Sequence, residues 1–187
     1  MAKILAVGIA TLDIINTVEH YPLLDSETRA LSQHKTRGGN ATNTLAVLSQ
    51  LGHQCYWAGV LIDETDSQLI RKDLALYNID LSACQKNPNG KMPTSYITLD
   101  QQTGSRTIVH FRDCPEYSFA SFKALDLAAY DWIHFEGRNI KETHLMLQYL
   151  KKHHPSIPCS VEIEKPHPDI VSLFHLTTVL LFSKDYV

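Results

Sequence analysis

Five short apolar runs, each closed by a glycine or by polar residues, constrain this chain more than anything else in it: Ile4–Gly8, Cys55–Val60, Trp132–Phe135, Cys159–Ile163 and Val179–Phe182. Runs of this length without a polar face read as strands buried on both sides. Helical patterns lie between them. Ala41, Leu45, Leu48 and Leu51 recur at spacings of three and four, and Gly52 stands where a left-handed turn would end that helix. Leu69, Ile70, Leu74 and Tyr77 keep one face of a helix over Asp66–Tyr77, and Leu145, Leu147 and Leu150 mark another over Lys141–His153. A short helix starts at Pro168. Strand–helix alternation of this kind predicts an α/β fold, a mainly parallel sheet with helices on both faces.

The rhythm breaks where strands follow one another without helices. Ile14–Val18 and Thr28–His34 flank the polar turn Asp25-Ser26-Glu27, and Thr94–Leu99 and Arg106–Phe111 read as a hairpin around Asp100–Gly104. A small β element set apart from the main sheet is expected.

With 187 residues and 44% apolar composition, one ordinary domain is expected. A net charge of -3, well mixed, gives no reason to expect nucleic acid or an anionic membrane surface as partner. The four cysteines are far apart and form no C-x-x-C pair, so buried or partly buried thiols in a reducing compartment are expected. Ile4–Ile15 is short and carries Asp13, which suits a first strand better than a signal segment, and a cytoplasmic protein is expected. The chain contains no P-loop, no G-x-G-x-x-G after the first strand, no G-x-S-x-G and no H-E-x-x-H. Of its ten histidines, His153 and His154 suit a helix end, and His134 suits a hydrogen-bonded core position.

What remains is polar chemistry at strand ends: Asp13, the turn Gly38-Gly39-Asn40-Ala41-Thr42-Asn43, and Glu136-Gly137-Arg138-Asn139. Asp13 is equally a turn-capping residue or a ligand-binding one. Asn40 and Thr42 are good helix caps, and two glycines let a backbone pass close to a ligand. Carboxylates and carboxamides suit neighbouring hydroxyls, so a polyol fits this set better than an apolar ligand.

These stretches, with Gly104–Val109, Val161–Pro166 and Ser183-Lys184-Asp185, run through nearly the whole chain in an order that resembles the ribokinase-like (PfkB) carbohydrate kinases. Glu136–Asn139 and Val161–Pro166 are similar to the ketohexokinase (hepatic fructokinase) branch of that family. The resemblance implies one ribokinase-like domain over residues 1–187, with β-sheet lid segments at about 14–34 and 94–111. It implies transfer of phosphate from ATP, with Mg2+, to the 1-hydroxyl of fructose or a similar ketose, and a homodimer formed through the lid. It places sugar hydroxyls on Asp13, Asp25, Gly39, Asn40 and Asn43, and puts Arg106 and Glu136 near the transferring phosphate. The family's Gly-Ala-Gly-Asp anion hole with its aspartate base does not occur after Asp131, and no Asn-x-x-Glu is evident near Ser183-Lys184-Asp185. The resemblance therefore implies that the family's base lies beyond Val187, with the C-terminal third of the family fold missing. No catalytic base or metal ligand is assigned within the chain, which is expected to be inactive alone. The alternative is a non-catalytic product that binds sugar or dimerises through its lid.

Overall fold

The computed structural model describes all 187 residues, Met1–Val187. In chain order its strands and helices are β1 (Lys3–Val7), β2 (Thr11–Val18), β3 (Ser32–Gly38), α1 (Asn40–Gln50), β4 (Gln54–Ala58), β5 (Val60–Ile62), α2 (Thr65–Leu76) and β6 (Gln85–Asn87). They continue with β7 (Lys91–Asp100), β8 (Arg106–Asp113), α3 (Phe119–Lys123), β9 (Trp132–Glu136), α4 (Ile140–His153), β10 (Cys159–Ile163) and β11 (Val179–Phe182).

Five strands form a wholly parallel sheet in the order β11-β10-β9-β1-β4. Consecutive residues along its central strands are buried, Leu5 and Ala6 at 0% exposure among them, so both faces are covered. That is why these strands read as unbroken apolar runs. His134 is the polar exception. Ser160 Oγ accepts from Trp132 Nε1 at 2.9 Å and lies 2.9 Å from His134 Nδ1, while burial pushes the imidazole down to about 4. It is a neutral, hydrogen-bonded core histidine, as its setting in the sequence suggests. All four cysteines are free, and Cys55 and Cys159 are buried. No helix is long and apolar enough to cross a membrane.

The second sheet is mixed, in the order β3-β2-β7-β8, with β2 and β7 parallel and the outer pairs antiparallel. It is the expected β lid, with different bounds. β2 begins at Thr11, so Asp13 sits inside a lid strand rather than between two strands. β3 starts at Ser32 and runs through Gly38, leaving Thr28–Leu31 as exposed loop. The expected strand Thr28–His34 overlaps β3 at Ser32–His34, but Ser32–Lys35 has no buried face, so the pattern did not mark where the strand begins and ends. The expected strand Cys55–Val60 is cut at Gly59, because Val60–Ile62 turns away to pair with Gln85–Asn87. The helix expected from Pro168 is a 3₁₀ segment over Ile170–Leu176.

Candidate functional site

Side chains alternate along a strand, so register decides which of them share a face. Asp13 pairs with Ser95 and Ser95 with His110, while Ile97 pairs with Ile108 and Leu99 with Arg106. Asp13, Ser95, Ile97, Ile108 and His110 line one wall of a cleft of about 580 Å³, together with Arg106. The carboxyl ends of β9 and β10 supply Glu136, Arg138, Glu162 and Glu164 opposite, and the start of α1 supplies Gly39, Asn40 and Asn43. Open α/β sheets take ligands at this end of their strands.

The junction of β3 and α1 depends on two glycines. Gly39 has φ 102° and ψ 128°, dihedrals that a side chain resists. A Cβ on Gly39 would meet the Ile9 carbonyl oxygen, and one on Gly38 would meet the Asp13 carboxylate and Thr11 Oγ1. Gly39, not Asn40 or Thr42, is the N-cap of α1. Thr42 Oγ1 instead donates back to the Gly38 and Gly39 carbonyls, at 2.9 and 3.1 Å.

Neighbouring groups set the polarity of each amide. Arg37 is buried, and its NH1 donates to Asn43 Oδ1 at 2.7 Å and to Thr42 Oγ1 at 3.0 Å, while its Nε meets Asp73 at 2.5 Å. Arginine only donates, so Asn43 must turn its oxygen inward and keep its NH2 for a ligand. Asn40 is turned the other way: its Nδ2 donates to Glu162 at 2.8 Å and to Glu164 at 3.1 Å, leaving Oδ1 to accept. Asp13 accepts from Thr11 Oγ1 at 2.8 Å and keeps further lone pairs.

On the floor, the buried Glu136 accepts from the Ile9 N–H at 2.9 Å and from Arg138 at 3.1 Å. Arg138 also reaches Glu116 at 3.1 Å, and Glu116 in turn takes Arg112 at 2.5 Å, which links the end of β8 to the floor. Burial raises the Glu136 carboxyl, and Arg138 opposes that rise. Glu162 is the register neighbour of Glu136. Burial first, then the charges of Glu136 and Glu164, push its carboxyl up to about 7, and its Oε2 has no partner.

The structure thus brings together Asp13, Gly39, Asn40, Asn43, Arg106 and Glu136. It does not bring in Asp25, which sits at φ 55° on the exposed segment between β2 and β3. That segment is held at its ends, by Tyr21 N–H on Asp100 and Leu31 N–H on Thr17, not against the cleft. The end of the chain adds nothing to the cleft either: Val187 is 97% exposed, and neither it nor Ser183-Lys184-Asp185 lines the walls. Glu162, Arg37 and Glu116 have no role in the sequence reading. Only Glu162 carried a signal, as a second acid ending a buried strand beside Glu136. Acceptors at Asp13 and Asn40 with a donor at Asn43 match hydroxyl groups, which do both.

The model of the pfkB family of carbohydrate kinases matches residues 1–180. A ketohexokinase of Mus musculus is 38% identical over 190 residues, an alignment covering 98% of this chain and 64% of that protein. A nucleoside kinase of Methanocaldococcus jannaschii, in the ribokinase family, superposes with a TM-score of 0.74 at 20% identity, over 98% of this chain and 61% of that one. An Arabidopsis thaliana ribokinase complexed with ribose and ATP gives 0.76 at 15% identity, over 97% and 60% respectively. At such identities these structures speak for the fold alone. The chain spans a little under two thirds of the length of these relatives. By the extent of the family match and its agreement with the two-sheet architecture, the chain belongs to the pfkB family of carbohydrate kinases.

Proposed function

We propose that the cleft is the acceptor-sugar site of an ATP-dependent kinase of the ketohexokinase type, acting on the 1-hydroxyl of fructose or a similar ketose. The observation that carries this reading is the opposed polarity of Asn40 and Asn43 beside Asp13. Neighbouring hydroxyls can donate to Asp13 and Asn40 while accepting from Asn43. Asp25 does not line the cleft of this chain, and no contact to the sugar is assigned to it. Arg106, on the lid wall, would offset charge on the transferring phosphate, and Glu136 closes the floor where that phosphate must lie. No group of three or more His, Cys, Asp or Glu side chains is disposed to hold a metal ion. In this reading Mg2+ arrives with the nucleotide, on its phosphates. When bound, that ion would supply charge neutralisation at the phosphates. Because no Gly-Ala-Gly-Asp segment occurs between Met1 and Val187, we assign these 187 residues sugar binding and not turnover by themselves.

Calorimetric titration with fructose tests this. Saturable binding is expected, weakened about a hundredfold in Asp13→Ala, since hydrogen bonds to a charged group contribute about 1.5–3 kcal/mol each. Equal affinity in the variant, or no heat with the unmodified chain, would contradict it.

The homodimer is part of the same proposal. Tyr96 and Val109 are register partners on the lid face away from the cleft, and Phe111 follows on that face. All three are exposed, Val109 at 66%. A second lid covering this stripe would remove it from water. Sedimentation equilibrium should show a dimer that Val109→Glu dissociates; a monomer at every concentration would argue against it.

A further inference from the structure

We propose that Glu162 is a positioning residue that fixes Asn40 as a pure acceptor, so that the cleft at this point admits a hydroxyl and rejects an oxidised or phosphorylated counterpart. The proposal rests on the sugar-site reading above and adds a residue and a selection rule to it. Its basis is a donor–acceptor count. An asparagine amide has two N–H groups and one carbonyl. Glu162 Oε1 and Glu164 Oε2 take the two donors, at 2.8 and 3.1 Å. Both partners can only accept when ionised, so rotating the amide would set three oxygens against one another. The ligand therefore meets Asn40 Oδ1. A hydroxyl can donate to it, whereas a keto, carboxylate or phosphate oxygen brings only lone pairs towards an oxygen backed by two carboxylates.

Glu162 dominates this arrangement and Glu164 assists. Glu162 lies in β10, register-paired with Glu136, and is partly buried, whereas the Glu164 side chain is 51% exposed. The free oxygen of Glu162, Oε2, is buried without a partner. Glu136 at the end of β9, Arg138 just after that strand, and Asn40 of α1 act on it. Arg106 and His110 stand across the cleft on the lid, and Lys165 follows Glu164 on the rim. Burial first, and then the two nearby acids, push the carboxyl up to about 7, so its ionisation changes within the neutral range. A proton entering at Oε2 would leave Oε1 accepting but remove the charge that strengthens the bond to Asn40. The hold on Asn40 is therefore firmest above neutrality.

The test combines two readouts on the 187-residue chain. In the ligand-free protein, the Asn40 side-chain amide resonances should titrate with a midpoint near 7, and this should vanish in Glu162→Gln. With fructose, Glu162→Leu should lose about tenfold or more in affinity, since Asn40 is then held only by the half-exposed Glu164. Glu162→Gln, whose carbonyl can still accept from Asn40, should recover most of that loss and flatten the pH dependence. An Asn40 amide that does not sense Glu162, or equal fructose affinity in Glu162→Leu and the unmodified chain, would overturn the proposal. If the amide titration holds and the unmodified chain binds no fructose, the positioning is supported and the sugar reading is what fails.

Discussion

Replacing Gly39 with alanine should destabilise the protein by about 4 kcal/mol and abolish fructose binding. Two costs combine. Dihedrals of φ 102° and ψ 128° are strained for any residue with a side chain, at roughly 1–3 kcal/mol. The new methyl would also press on the Ile9 carbonyl oxygen, and overpacking typically adds about 1–3 kcal/mol. That carbonyl cannot easily retreat, because the Ile9 N–H is held by Glu136 and the Gly8 N–H by the Ala58 carbonyl. The chain would relieve the overlap by moving the start of α1, and Asn40 and Asn43 would move with it. Gly52→Ala is the control. It also has a positive φ, 87°, but nothing lies within 4 Å of its missing Cβ and it is remote from the cleft. It should cost only about 1–2 kcal/mol and leave binding intact. Urea denaturation and calorimetry on both variants give the comparison; equal effects would show that the close approach to Ile9 is not what matters.

Arg37→Met should cost about 3–4 kcal/mol, at the lower end of what breaking a buried ion pair costs. Its side chain is 5% exposed and its three hydrogen bonds end on Asp73, Thr42 and Asn43. Removing it strands a carboxylate and a carbonyl away from their donor. Asp73, 24% exposed, can recover some water, which keeps the cost from the upper end. The double variant Arg37→Met, Asp73→Leu should regain part of the loss, because an apolar pair in place of an ion pair leaves no uncompensated charge. Chemical denaturation of the single and double variants measures this. Additive losses would mean that the two side chains stabilise α1 and α2 independently. Sugar affinity should fall in both, since Asn43 loses the partner that directs its NH2 into the cleft.

Much of the parallel sheet was legible because its strands are buried on both faces and so stand out as apolar runs. The lid was harder. β3 begins with four exposed residues, Ser32–Lys35, and its true extent follows only from pairing with β2. β6, Gln-Lys-Asn, has no strand-like composition at all and exists because β5 leaves the main sheet beside it. In the site, the residue types at Asp13, Asn40, Asn43 and Glu136 pointed to hydroxyl chemistry, but not the direction in which each amide faces. That direction is set by Glu162, 122 positions from Asn40, and by Arg37, which from sequence alone was only the residue before two glycines. Asp25 differs from these: family resemblance placed it at the sugar, and in this chain it lies on an exposed segment that does not line the cleft.

Nuclear magnetic resonance during a fructose titration tests most directly whether this cleft holds a polyol. The backbone amides of Gly39 and Asn40 should shift, and the Asn43 side-chain NH2 should shift strongly because it donates to the ligand. The Asn40 side-chain NH2, already held by Glu162 and Glu164, should move least of the four. Saturable shifts in that pattern would support a sugar read by opposed asparagines. Shifts confined to other surfaces, or a spectrum unchanged by fructose, would contradict it.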